Sequence, residues 1–251
     1  MEWISDVSAG DWLRERLSPD FSGGLHSFVP AGFAAYGRVC YPMWRDNSPT
    51  INGDPDALVH EDVTWAQVAA AFGTVLHPLA QSHALMRQEW NSNQEAIVNG
   101  WRYSIPPIGT IEPATMTPLA TVLAAHTATP DDGFAAVWEG WGDLPAWCDT
   151  SPKLELPGRN YILFKAGITE FIKPDWPQRA PWNSESVFHD TPSICWPADH
   201  SWVLANEIDF DTAIVAGSAA LIEVLQHTPG MEALPISLTD KLYSDSDLIN
   251  K

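Results

Sequence analysis

The sequence predicts an α+β fold: a single domain over residues 1–251 with a mainly antiparallel sheet, flanking helices and long Pro- and Trp-rich loops. Three observations predict it. Short runs of aromatic and β-branched residues bounded by Gly, Pro or Asp read as strands. A smaller number of segments place apolar residues at helical spacing behind N-terminal caps. The two kinds of segment alternate irregularly, without the βαβ rhythm of a parallel sheet. At 45% hydrophobic and 18% charged over 251 residues, the composition is that of a folded chain and the length suits one large domain.

In chain order, Ser8 and Asp11 precede Trp12, Leu13 and Leu17 and predict a first short helix. Residues 34–41 read as a strand, followed by a Pro-rich connection over 42–57. Thr64 with Gln67 is a capping-box pattern; Trp65, Val68, Ala69 and Phe72 then fall at i, i+3, i+4 and i+7, and Gly73 can end the helix. Residues 81–90 are predicted helical with weaker caps. After a connection over 103–118, Thr117 is read as a cap and Pro118 as the first helical residue. Leu119, Val122, Leu123 and His126 then share one face, with His126 a core histidine. Residues 134–138 and 161–165 read as strands on either side of a connection over 143–160. The longest connection, 173–200, carries Trp176, Trp182, Phe188 and Trp196. A solvated linker would not hold so much aromatic surface, so it is expected to be ordered and packed on the core. A last strand is predicted over 201–210, and Ser218 is expected to cap a helix carrying Leu221, Ile222 and Leu225.

Charge removes one class of function. Lys plus Arg number 13 against 32 Asp plus Glu, a formal charge of −19, and the basic residues are scattered, so no nucleic-acid partner is expected. The first residues lack a signal peptide's basic and apolar regions, and no window reaches the roughly 18 apolar residues of a membrane span. A cytoplasmic protein without membrane association is therefore expected. Cys40, Cys148 and Cys195 are odd in number and far apart. They read as buried reduced thiols rather than a disulfide framework or a zinc site.

The sharpest local feature is Trp202-Val-Leu-Ala-Asn-Glu207-Ile-Asp209-Phe-Asp211. On a strand, period-two geometry sends Glu207, Asp209 and Asp211 to one face. Such a row suits a solvated strand face; it also has the chemistry to bind a hard cation or supply a general acid and base. No EF-hand or H-E-x-x-H spacing accompanies it, so no metal is expected. His189-Asp190 and Asp199-His200 lie near enough in sequence to share a site with Glu207. Ser218 lacks the G-x-S-x-G context of a nucleophile elbow. Gly140-Trp-Gly142 lacks the spacing and Lys of a phosphate loop, and no cofactor is expected.

The 13 Trp residues are the strongest compositional signal. Trp138, Trp141 and Trp147 crowd one stretch with Glu139 and Asp143, a mixture able to stack a sugar ring or a cation on an indole face. The same residues also suit the core and the anchoring of loops. Candidate ligand-binding residues are Trp138, Glu139, Trp141, Trp196 and Asp199, continuing to Trp202, Glu207, Asp209 and Asp211.

At Trp196-Pro-Ala-Asp199-His-Ser-Trp202, Glu207-Ile-Asp209-Phe-Asp211 and Val215-Ala-Gly217-Ser218, the chain resembles a family of actinobacterial cytosolic proteins with no assigned activity. Val29-Pro-Ala-Gly-Phe33-Ala-Ala-Tyr36-Gly-Arg38, Ala136-Val-Trp138-Glu-Gly140-Trp-Gly142 and Tyr161-Ile-Leu-Phe164 extend the likeness over most of the chain. The departures are mild: Ala216 for Gly, Glu139 for Asp and Lys165 for Arg. The resemblance implies a shared fold and a bacterial cytosolic origin, and it transfers no catalytic residue.

Two classes of function follow. The leading one is a non-enzymatic binding or interaction protein. Its acidic surface engages a basic protein partner, as an immunity-type inhibitor would, or a Trp-lined cleft holds a small-molecule ligand. The alternative is a hydrolase of carbohydrate-like substrates using two carboxylates among Glu139, Glu207, Asp209 and Asp211, with Trp as the sugar platform.

Overall fold

Two antiparallel sheets organise the chain. The computed structural model describes residues 1–20, 24–51, 54–142, 144–183 and 189–251; Asp143 and Phe188 lie outside them. The strands are β1 (Glu2–Trp3), β2 (Ala35–Cys40), β3 (Met43–Asp46), β4 (His60–Val63), β5 (Ala96–Val98), β6 (Trp101–Ser104), β7 (Gly133–Trp138), β8 (Leu154–Leu156), β9 (Arg159–Lys165), β10 (Ile194–Pro197), β11 (Val203–Ala205), β12 (Thr212–Gly217) and β13 (Glu232–Ile236). The helices are α1 (Asp11–Arg16), α2 (Trp65–Phe72), α3 (Ser82–Leu85), α4 (Pro113–Ala125), α5 (Trp176–Arg179) and α6 (Ala219–His227).

The larger sheet runs β1-β9-β7-β10-β11-β12-β2-β13, with β8 beside β1 on the outer edge of β9. All its pairings are antiparallel, as the irregular alternation of strand and helix signals required. Both faces are covered, so its central strands do not alternate apolar and polar. In β12 all six residues are buried. Ala213 and Val215 pack with Leu119 and Leu123 of α4 and Leu221 and Leu225 of α6, while Ile214 and Ala216 meet Leu13, Leu25 and Val29 on the opposite face. The smaller sheet, β4-β3-β6-β5, packs Met43, Val63 and Tyr103 against Trp65 and Val68 of α2 and Leu85 of α3.

Helix α2 forms where its local signals put it. Thr64 Oγ1 accepts from the Gln67 backbone N–H at 3.2 Å, Gln67 Oε1 accepts from the Thr64 N–H at 2.8 Å, and Gly73 ends the helix at φ 65°. Ser218 likewise caps α6, accepting from the Leu221 N–H at 3.1 Å. The β2, β7 and β9 runs are strands to within two residues of their expected bounds.

Elsewhere the structure corrects the reading. Helix α4 begins five residues before Pro118, at Pro113 behind Glu112, so Thr117 is no cap and Pro118 sits inside the helix. His126 is then its half-buried C-cap rather than a core residue. Ser8 opens a 3₁₀ turn, and Gly10 precedes α1 with no side-chain cap. The helix expected over 81–90 is only the four residues of α3, because Arg87 and Asn91 take positive φ, 56° and 60°. The connection 173–200 contains α5 and β10, and Trp176, Trp182 and Trp196 are buried in the core as expected.

The strand expected over 201–210 stops at Ala205. Asn206 turns inward, donating to the Gly109 carbonyl at 2.8 Å and to Thr191 Oγ1 at 2.7 Å, and accepting from the Tyr41 hydroxyl at 2.6 Å. The Phe210 N–H then bonds the Glu207 carbonyl at 3.0 Å, closing a turn before β12. Gly109 receives this turn closely. Its φ is 71° and a Cβ there would overlap the Ile208 backbone, so the adjoining Ile108 is fixed at the rim of a cleft.

Candidate functional site

The carboxylates expected on one strand face are separated by that turn and have different partners. Glu207 is buried and ion-paired with Arg159, the first residue of β9, whose Nη2 also reaches Asp209 Oδ2 at 2.8 Å. The same guanidinium lies 5.2 Å from the centre of the Trp138 ring, a cation–π contact. Burial raises the Glu207 pKa, against the opposing pull of Arg159. Asp211 faces elsewhere: it accepts from the Ser82 hydroxyl at 2.6 Å and stands 3.6 Å from the buried Arg38. A row of solvated carboxylates is therefore not what this segment forms.

The remaining sequence candidates are distributed over the fold. Trp138 packs edge-on against Trp141 at 5.6 Å, and Glu139 accepts from Asn160 Nδ2 at 2.8 Å. Trp196 stacks with Phe134 at 5.4 Å in the interior. Trp202 is a core residue whose indole N–H donates to the Leu123 carbonyl at 3.0 Å. Asp199 accepts from the Thr127 hydroxyl and the Ala128 N–H at 2.8 and 2.7 Å, tying the segment after α4 to the turn before β11. His200 stacks on Trp12 at 4.2 Å. Asp190 is buried, and its backbone carbonyl accepts from the Trp182 indole. Arg159 thus brings Trp138, Glu207 and Asp209 together; Trp196, Asp199 and Trp202 are placed separately.

All three cysteines are buried thiols. Burial pushes the Cys40 thiol up to about 12 and that of Cys195 up as well, the opposite of an activated nucleophile. Among the described residues, no group of three or more His, Cys, Asp or Glu is arranged to hold a metal ion. No helix among them is long and apolar enough to cross a membrane.

A broad cleft lies apart from all of these places. It has a volume of about 660 Å³ and opens between the loop after α3 and strand β6. Trp90 is its exposed aromatic, 45% accessible, with Trp44 and Tyr103 also in the wall. The loop is built to stand out from the fold. The Gln88 N–H bonds the His83 carbonyl at 2.9 Å, Gln88 Nε2 donates to the Gln94 carbonyl at 2.6 Å, and the Ser92 N–H bonds the Glu89 carbonyl at 3.1 Å. Opposite, Arg102 is held by Asp46 and Glu95 at 2.8 and 3.0 Å. His83 is buried beside Trp90, rings 5.4 Å apart and edge-on, and its Nδ1 has no hydrogen-bond partner. Burial lowers the His83 pKa, so the ring is neutral at pH 7.

Two further hollows share Trp90. One, of about 200 Å³, is lined by Asp209, Phe210, Asp211 and Tyr243. The other, of about 430 Å³, has the C-terminal segment as its wall, including Asp245 and Asp247. Asp247 fastens that wall: it accepts from His77 Nε2 at 2.9 Å, from the Ile249 and Asn250 N–H groups, and from the Asn250 side chain. Although burial raises its pKa, these hydrogen bonds outweigh that and hold it down to about 2. A carboxylate depressed in the fold stabilises above its unfolded value and loses that contribution as pH falls towards about 2. Asp247→Asn is therefore expected to lower stability at neutral pH and flatten the acid limb of a urea-midpoint-against-pH curve. An unchanged acid limb would show that the wall is held by other contacts.

Searches of protein-family models, of curated proteins and of solved structures found no match to this chain. The cleft is thus defined by its own geometry. Its sequence signal was the run Gln88-Glu-Trp-Asn-Ser-Asn-Gln-Glu95, a tryptophan set among planar polar side chains with no apolar neighbours to pack it.

Proposed function

We propose that the protein is a binding protein that holds a small polar ligand in the cleft around Trp90. One observation carries the reading: a hollow of about 660 Å³ walled by Trp90, Trp44 and Tyr103 and lined by the polar side chains of the loop 88–95. Ligand sites usually measure about 300–1,000 Å³ and combine aromatic walls with a few convergent polar atoms. The −19 charge supports a basic protein segment as another occupant of the same cleft. Two carboxylates for hydrolysis would have to face each other across the reacting bond. Glu89 and Glu95, the carboxylates of this hollow, sit on one loop, and Arg102 engages the second.

Intrinsic Trp fluorescence, titrated with disaccharides, an Arg-Arg dipeptide and adenosine, tests the reading in wild type and in Trp90→Ala. A saturable change with at least one probe, lost in the variant, is the expected result. The variant should keep its unfolding free energy to within about 0.5 kcal/mol of wild type, because Trp90 is a surface residue. Saturable binding that survives Trp90→Ala, or no saturable change with any probe, overturns the proposal.

A further inference from the structure

We infer that the ligand of this cleft is a saccharide, its ring stacked on Trp90 and its hydroxyls bonded by the planar polar side chains of the loop 88–95. The inference rests on the reading of the cleft as a ligand site and names the ligand's chemistry.

A pyranose presents two kinds of surface. One face carries C–H groups and lies flat on an aromatic ring; the rim carries hydroxyls that each donate and accept. Recognition therefore needs an exposed indole surrounded by side chains with donors and acceptors in one plane. The wall supplies both, with Trp90 flanked by Glu89 and Asn91 and with Asn93 and Gln94 following. Among the described residues, the side chains of Glu89, Asn91 and Asn93 are engaged in no hydrogen bond within the chain. The loop backbone, by contrast, is fixed by the bonds from Gln88 and Ser92. The polar groups are thus unspent while their positions are set.

His83 adds an independent observation. The ring is 8% exposed, and its Nδ1 is buried with no partner. The ring lines the hollow and meets the Trp90 indole edge-on at 5.4 Å, which sets the position of the stacking platform.

Charge separates the saccharide from other occupants. Arg102 is the cation of this wall and is already paired with Asp46 and Glu95, leaving little to attract a phosphate. With Glu95 matched by Arg102, Glu89 is the carboxylate left for a basic segment. A neutral polyhydroxylated ring asks for no net charge.

Calorimetric titration with maltose, cellobiose and diacetylchitobiose, beside Arg-Arg and adenosine, tests the inference. At least one disaccharide should bind saturably. Its affinity should fall at least tenfold in Trp90→Ala and in Asn93→Ala, each checked for native circular dichroism. That affinity should also be the same at about 0.01 M and 0.15 M salt, since a neutral ligand is not screened. If Arg-Arg or adenosine binds in a Trp90-dependent way and no disaccharide does, the saccharide is wrong and the ligand cleft stands. If no probe binds, both fall. Disaccharide binding indifferent to Trp90→Ala and Asn93→Ala also rejects this site.

Discussion

Arg38→Met is expected to remove about 3–5 kcal/mol of stability, the range for breaking a buried ion pair by deleting one partner. Arg38 sits in the middle of β2, between Ile214 of β12 and Leu234 of β13, with 1% of its side chain exposed. Its guanidinium donates to the Pro78 and Ala80 carbonyls at 3.0 and 2.6 Å and to Thr212 Oγ1 at 3.3 Å. It also lies 4.8 Å from the centre of the Trp65 ring and 3.6 Å from Asp211. Methionine fills much of the volume but strands two carbonyls and leaves a half-buried carboxylate facing only Ser82. Domains of this kind hold about 5–15 kcal/mol in total, so the urea midpoint should fall by a large fraction. Arg38→Lys should recover little, because an ammonium does not reproduce the fan of donors. The segment held by Arg38 leads into Gln81 and His83, so ligand binding at Trp90 should weaken with it. An unfolding free energy within about 1 kcal/mol of wild type would show that the network is dispensable.

Arg159→Met is expected to have the second-largest effect, and one that depends on pH. Glu207 is 7% exposed, and burial already raises its pKa while Arg159 opposes the rise. Without the guanidinium, Glu207 is left buried beside Asp209, and its pKa moves further up. A carboxyl whose pKa is higher in the fold than in the unfolded chain binds more protons when folded. The variant's stability should therefore fall as pH rises from the ordinary carboxylate range towards neutrality, and recover in acid. At pH 7 the loss should again be about 3–5 kcal/mol. Adding Glu207→Gln to Arg159→Met should restore most of it, since the buried charge is then gone. A pH-independent loss, or no rescue by the second substitution, would mean that the arginine acts through its packing on Trp138 instead.

What was legible in the sequence was local. The cap and period of α2 and the cap of α6 are written within a few residues, and the β2, β7 and β9 runs announce themselves by composition. The segment 201–210 has equal strand character, yet Asn206 ends it through partners at Tyr41, Gly109 and Thr191. Those contacts lie far away in sequence and invisible to period-two reasoning. The same holds for the carboxylates that follow: Arg159, 48 residues from Glu207, decides which of them is buried and paired. All four strands of the smaller sheet have only three or four residues, too few to establish a pattern, so its cleft had no frame in the sequence. Trp90 was absorbed into an expected helix; the positive φ of Arg87 and Asn91 releases it into the loop.

Fluorine NMR of the protein labelled with 5-fluorotryptophan separates the cleft from the other aromatic clusters in one experiment. The 13 Trp residues give separate resonances, assignable by Trp90→Phe, Trp44→Phe, Trp138→Phe and Trp141→Phe. On titration with the disaccharide that binds, the Trp90 and Trp44 signals should shift to saturation while those of Trp138 and Trp141 stay in place. Shifts at Trp138 and Trp141 with Trp90 unmoved would contradict the assignment of the site and return it to the Arg159 junction.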